Sequence, residues 1–199
     1  QAITEIAGKL KDILSLHGPR SLAYMGGGGQ GSHVEAGFGR TLLTALGSQY
    51  HYSAIAQELS GLFWVNGRAY GRQNLHTGAD LDRARNFLVM GWNGYVSNAG
   101  VNRARERIDE CSKDPAKRLI VVDPLRSETA QKANTHLQPR IGTIALFLKS
   151  LIAIILQEGW ENREFLARHC DGFERVEGWF RHFDAASGLK VCGLDAGKV

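Results

Sequence analysis

The sequence predicts an α/β fold: a doubly wound, mostly parallel sheet with helices on both faces, in three layers. Two observations predict it. Short apolar runs alternate with segments of helical periodicity along the chain, the order that assembles a parallel sheet. Three of the runs also stop abruptly and hand over to polar turns at residues 26–32, 91–98 and 123–127. Buried strands end this way where their carboxyl ends border a ligand-binding crevice.

In chain order, residues 2–16 space Ile3, Ile6, Leu10, Ile13 and Leu14 along one helical face, and His17-Gly18-Pro19 ends the helix. A short strand over 21–25 runs into a glycine-rich turn, then into a helix over 33–46 closed by Gly47. Residues 48–74 are the least regular, with helical character at 54–63. A strand over 86–90 ends at Gly91-Trp92-Asn93-Gly94, and a helix rich in Arg and Glu follows over 98–112. Leu119-Ile120-Val121-Val122 stops at Asp123-Pro124, Thr135-His136-Leu137 is a further extended piece, and a long apolar helix covers 142–157. Short helices over 162–169 and 172–183 precede Gly193-Leu194-Asp195, with no closing element. The 199 residues read as one partial α/β domain of a larger chain, since Gln1 already lies within a helical pattern.

A hydrophobic content of 43% is enough for a substantial core. The formal charge of +4 suits an anionic small ligand as well as nucleic acid. Lys and Arg are scattered rather than gathered, and no nucleic-acid partner is expected. Cys111, Cys170 and Cys192 form no CxxC, so neither a zinc site nor an iron–sulfur cluster assembles from them. They read as buried thiols in a reducing compartment, and the cytoplasm is the expected location, although the parent chain could be exported. Lys149 interrupts the apolar run Ile144–Gln157, which is shorter than the roughly 20 residues of a membrane span. No direct membrane insertion is expected.

The loop at 26–32 offers backbone N–H groups ahead of a helix, a cradle for phosphate or for the polar edge of a flat heterocycle. It lacks the Lys of GxxxxGK[ST], which argues against a P-loop enzyme. A purely structural glycine turn accounts for it equally well. Gly91-Trp92-Asn93-Gly94 and Ser97-Asn98 carry groups able to bond a nucleotide or pterin, and helix capping explains Ser97 and Asn98 as well. Asp123 stands where doubly wound folds set an acid against a ribose or base, Pro124 stops the strand, and Arg126 suits phosphate. A plain Asp turn is the alternative. The seven histidines show no ligand spacing.

Taken together, these motifs resemble the catalytic large subunits of molybdopterin-dependent oxidoreductases, the group of formate dehydrogenases, nitrate reductases and dimethyl sulfoxide reductase. The resemblance covers nearly the whole chain. AITEIAGKL is similar to the segment after that family's iron–sulfur domain, and NFLVMGWN to its strand-then-G-x-N element. VVDPLRSETAQKANTHLQPRIGTIAL is similar to its VVDPR-type signature, and ENREFLARHCDGF to the motif that follows.

That resemblance implies two molybdopterin guanine dinucleotides around one molybdenum or tungsten atom, with this portion lining the cleft of one of them. It puts Gln30 near the pterin and Gly91, Trp92, Asn93, Ser97 and Asn98 along the diphosphate. Asp123, Pro124 and Arg126 would lie near the nucleoside, and Gly142 and Thr143 near the guanine. Glu58 falls where the family carries its metal-ligating residue, and it reads either as a ligand or as a plain helix residue. Ile144 replaces an Asp that pairs with guanine, and Ile141 a Pro. An unpaired buried donor would cost about 1–3 kcal/mol, so guanine must be read differently or less tightly here.

The implied partners are the remainder of the large subunit and an iron–sulfur electron-transfer subunit, with the iron–sulfur cluster expected only in the parent chain. This portion alone is expected to be inactive. The alternative is a metal-free structural subunit of the same fold within an electron-transfer complex.

Overall fold

The computed structural model describes residues 1–26, 33–75, 77–98 and 101–199. They divide into two compact units, Gln1–Thr77 and Gly78–Val199, whereas the sequence reads as one domain.

In the first unit the helix α1 (Ala2–His17) stops at Gly18, whose φ of +71° is open to glycine and whose N–H closes on the Leu14 carbonyl. The strands β1 (Ala23–Met25) and β2 (Tyr50–Tyr52) pair in parallel around the helix α2 (His33–Ala45). Two short helices follow, α3 (Ile55–Glu58) and α4 (Ser60–Ala69). Ser48 is buried and donates its hydroxyl to the Leu22 carbonyl at 2.7 Å, which fixes the entry to β2.

The second unit is a three-stranded parallel sheet in the order β3 (Asn86–Met90), β4 (Arg118–Val122), β5 (Thr135–Leu137). Its helices are α5 (Ala104–Lys113), α6 (Glu128–Gln131), α7 (Ile144–Gln157), α8 (Arg163–His169), α9 (Phe173–Arg181) and α10 (Ala185–Cys192). The central strand β4 is covered on both faces, which is why it reads as an unbroken apolar run rather than an alternation. Leu119 and Val121 pack with Phe87, Ile108, Cys111 and Ala130. Ile120 and Val122 turn the other way, onto Leu137, Phe147, Leu189 and Cys192. Helices therefore cover both faces of this sheet, as the α/β reading predicts.

The structure departs from that reading at several elements. The helix predicted from residue 98 begins at Ala104, after Arg103 adopts a left-handed φ of 54° that breaks the helical path. The polar stretch after Asp123 contains a short helix, α6, capped by Ser127 accepting from the Ala130 N–H. The strand β2 and the helix α10 were not anticipated. Asp184 caps α10 by accepting from the Ser187 N–H at 3.0 Å, and Gly193 ends it at φ 74°. Cys111 and Cys192 are buried free thiols, whereas Cys170 is exposed. No helix among the described residues is long and apolar enough to cross a membrane.

Candidate functional site

The carboxyl ends of β3, β4 and β5 lie side by side, and the sheet ladder runs on into the loops they start. The Gly91 N–H donates to the Val122 carbonyl at 3.2 Å, and the Asp123 N–H to the Leu137 carbonyl at 3.0 Å. Gly91 has φ +59°, and among the described residues none beyond its chain neighbours comes within 4 Å of where a Cβ would stand. The following N–H groups of Trp92, Asn93 and Gly94 find no acceptor among the described residues.

The loop is held from below. The Trp92 indole donates to the Ser97 carbonyl at 2.8 Å, and the Ser97 N–H to the Asn93 carbonyl at 2.9 Å. Gly94 is buried under the Trp92 ring and against Ile108, with no room for a side chain. Tyr95 donates its hydroxyl to Asp109 on α5, and the Lys132 ammonium lies 3.4 Å from the same carboxylate. Burial, and then this bond to Asp109, push the Tyr95 hydroxyl above its ordinary range.

Asn93 ties both the nitrogen and the oxygen of its side-chain amide to the segment after β4. Its amide nitrogen donates to Glu128 Oε2 at 2.6 Å. Its amide oxygen accepts from the Thr129 hydroxyl at 2.9 Å and from the Thr129 N–H at 3.4 Å. Ser97 and Asn98 are exposed, and with α5 starting at Ala104 they do not cap it.

Asp123 is half-buried, and its Oδ1 accepts from the Leu125 N–H at 2.8 Å, an Asx turn. Its other carboxylate oxygen has no partner among the described residues. The Asp123 carbonyl takes His136 Nε2 at 2.9 Å, so that ring nitrogen carries the proton. Gln138 donates to the Pro124 carbonyl at 3.3 Å. Arg126 is exposed and makes no ion pair among the described residues, which leaves its guanidinium available to an anion.

After β5, Gly142 is exposed at φ +83° with open space where a Cβ would stand. Thr143 precedes α7 but sends its hydroxyl back to the Arg140 carbonyl at 2.6 Å, so it does not cap the helix. Ile144 packs inward, onto the Val122–Leu137–Phe147 core, whereas Ile141 is 87% exposed.

In the first unit Glu58 is exposed at the end of α3 and borders an open cleft with Met25, Gly26 and Tyr52 at the carboxyl ends of β1 and β2. Among the described residues no three His, Cys, Asp or Glu side chains gather as a metal site. Gln30 lies outside the described residues.

In the second unit Gly91, Trp92 and Asn93 follow β3, and Asp123, Pro124 and Arg126 follow the neighbouring β4. Asn93 joins the two segments through Glu128 and Thr129, and Gly142 and Thr143 lie further on, before α7. The sequence reading missed Glu128 and Thr129, although Ser127-Glu128 is a helix-start pattern that could have drawn attention to them. N–H groups, a guanidinium and a carboxylate oxygen without partners among the described residues, along the adjacent ends of β3 and β4, suit an elongated anion with a hydroxyl-bearing end.

Comparison with known proteins gives the family. The chain is 30% identical over 202 aligned residues to an acetylene hydratase of Syntrophotalea acetylenica. It is 28% identical over 116 residues to a formate dehydrogenase alpha subunit of Methanocaldococcus jannaschii, and 26% over 187 to a periplasmic nitrate reductase of Desulfovibrio desulfuricans. The alignments take in 100%, 58% and 89% of this chain but 26%, 17% and 23% of the relatives, about a quarter or less of their length. The solved structure of acetylene hydratase from Pelobacter acetylenicus matches with a TM-score of 0.72 at 28% identity, over 100% of this chain and 26% of that one. A family model described as molybdopterin oxidoreductase matches residues 1–177. With that match spanning most of its length, the chain belongs to the molybdopterin oxidoreductase family.

Proposed function

We propose that this chain supplies part of the cleft for a molybdopterin guanine dinucleotide. The parent protein would hold two such groups around one molybdenum or tungsten atom. The observation that carries the reading is the pair of adjacent parallel strand ends, β3 and β4, whose loops hold N–H groups, a guanidinium and a carboxylate oxygen without partners among the described residues. The residues fit the group: Gly91, at positive φ, leaves the backbone bare, as close approach of a diphosphate requires, and Gly142 does the same where the guanine would lie.

When bound, the metal and pterin supply the two-electron redox or oxygen-atom-transfer chemistry. The chain's own residues bind and orient. The N–H groups after Gly91 donate to the diphosphate and Arg126 balances its charge. The free oxygen of Asp123 accepts from a ribose hydroxyl, and the Gly142-Thr143 turn borders the guanine. Ser97 and Asn98 extend the diphosphate side, Gln30 belongs near the pterin, and Glu58 is the candidate metal ligand. The remainder of the large subunit completes the cleft, an iron–sulfur subunit exchanges electrons, and this portion alone is inactive. The buried thiols Cys111 and Cys192 favour a cytoplasmic parent.

The relatives range from an acetylene hydratase to a nitrate reductase. A second reading, a metal-free structural subunit, draws on Ile144: packed into the core, it leaves α7 starting without a carboxylate for guanine. Metal and nucleotide analysis of the purified full-length protein tests both. Near-stoichiometric molybdenum or tungsten, with guanosine monophosphate released on hydrolysis, supports the first. Absence of metal, pterin and nucleotide together refutes it and leaves the structural role.

A further inference from the structure

We propose that Glu128 and Thr129 are positioning residues for this cleft, acting through Asn93. The proposal rests on the cofactor reading above and adds a device to it. Asn93 follows the turn at Gly91, so where its main chain sits decides where the open N–H groups of residues 92–94 point. Its side chain is tied to the segment after β4, since one amide N–H is held by Glu128 Oε2 at 2.6 Å and the oxygen by the Thr129 hydroxyl at 2.9 Å.

The bonds also set the amide's orientation. A carboxylate can only accept, so the nitrogen must face Glu128, and the oxygen is left for the two donors of Thr129. Thr129 is fully buried and lies in the first turn of α6, which Ser127 caps, so the latch is anchored on rigid structure. It joins residues 36 apart in sequence across the gap between β3 and β4.

The Glu128 carboxyl is held below its usual range by its own N–H and then by the Asn93 amide, so it stays ionised and keeps accepting from that amide.

The test uses the full-length protein and three measurements: pterin bound per folded molecule after dialysis, hydrogen exchange of residues 91–98, and Tm. Asn93→Asp sets one carboxylate against another and breaks the latch with almost no change of shape. Adding Glu128→Gln restores a donor–acceptor pair with the polarity reversed. Thr129→Val removes the hydroxyl, and Thr129→Ser keeps it. Leu189→Ala, in the core on the other face of the sheet, controls for general destabilisation.

Asn93→Asp and Thr129→Val are expected to lose pterin at least about tenfold faster than wild type. The reversed pair and Thr129→Ser should return to within about threefold, and Leu189→Ala should keep pterin despite a lower Tm. Full retention in Asn93→Asp and Thr129→Val overturns the positioning role while leaving the cofactor reading intact. So does a loss of pterin in Leu189→Ala that merely tracks Tm. A wild-type protein that carries no pterin refutes the cofactor reading itself. In that case faster exchange at 91–98 in Asn93→Asp, reversed by the double variant, would show a brace with no cofactor to position.

Discussion

Gly94→Ala tests how tightly the loop over the sheet is built. Gly94 does not have the positive φ that would bar an alanine, so only space forbids the change. A Cβ there would press on the end of Ile108 and come within 2.8 and 2.9 Å of two Trp92 ring carbons. Ile108 can give way at its tip, but the Trp92 ring is held by its bond to the Ser97 carbonyl. Overpacking of this kind costs about 1–3 kcal/mol, while replacing glycine stiffens the unfolded chain and returns about 0.4–1 kcal/mol. The net expectation is a loss of about 1–2 kcal/mol, which raises local opening roughly 5- to 30-fold. Hydrogen exchange of residues 91–98 and of α5 reads it, and Ile108→Val in the same molecule should recover part of the loss by vacating the tip position. Slower exchange in Gly94→Ala, meaning that the alanine is accommodated and stabilises, would refute the close packing on which the loop's fixed geometry rests.

Gly188→Ala probes the opposite face of the sheet in the same way, since a Cβ would press on Ser150 Oγ and approach the Phe183 ring at 3.0 Å. A loss of about 1–2 kcal/mol is expected in thermal melts, even after alanine's helix preference of about 0.8–1 kcal/mol is counted, and Ser150→Ala should relieve it. Glu177 bridges Arg163 at 2.6 Å and Arg181 at 2.7 Å, and these two guanidiniums bring its carboxyl from 4.5 down to about 2. Because the folded value is the lower one, this contribution is complete above about pH 4.5 and disappears as the pH falls towards 2. Glu177→Gln should flatten that part of the stability–pH curve for α8 and α9, and an unchanged curve would rule the ion pairs out as its source. Ile144→Asp gives up a half-buried side chain worth about 1 kcal/mol but gains a carboxylate at a helix N-terminus worth about 0.3–1 kcal/mol. Tm should move little and pterin retention should hold or rise. A marked loss of pterin would mean that the pocket is built around the isoleucine.

The parts legible in the sequence were those with strong local signals. NFLVM and LIVV are too apolar for loops and too short for helices, and each is followed by Gly or Asp-Pro, so β3, β4 and the ends that border the site could be read directly. The strand β2 is three residues with an exposed His51 in the middle, and nothing in YHY marks it as paired. The helix α10 hides because Gly188 interrupts its pattern, where contact with Ser150 requires a residue with no side chain. Its caps, Asp184 and Gly193, were there to be read. In the candidate site, residue types at strand ends singled out these loops, but the direction of each side chain did not follow from type. Asn93 turns to Glu128 and Thr129 because of a contact made only when β3 and β4 pair in register.

The two-faced burial of β4 ties the site to the reading frame of a single strand. Odd-numbered Leu119 and Val121 belong to the core on the α5 side, and even-numbered Ile120 and Val122 to the core under α7. Losing one residue between 119 and 122 would exchange the two sets and hand each core the other's side chains. It would also shift Asp123 by one place against β5, where its N–H now meets the Leu137 carbonyl. Length variation in relatives is therefore expected to gather in the loops on either side of β4, while the five-residue span from Arg118 to Val122 keeps its count.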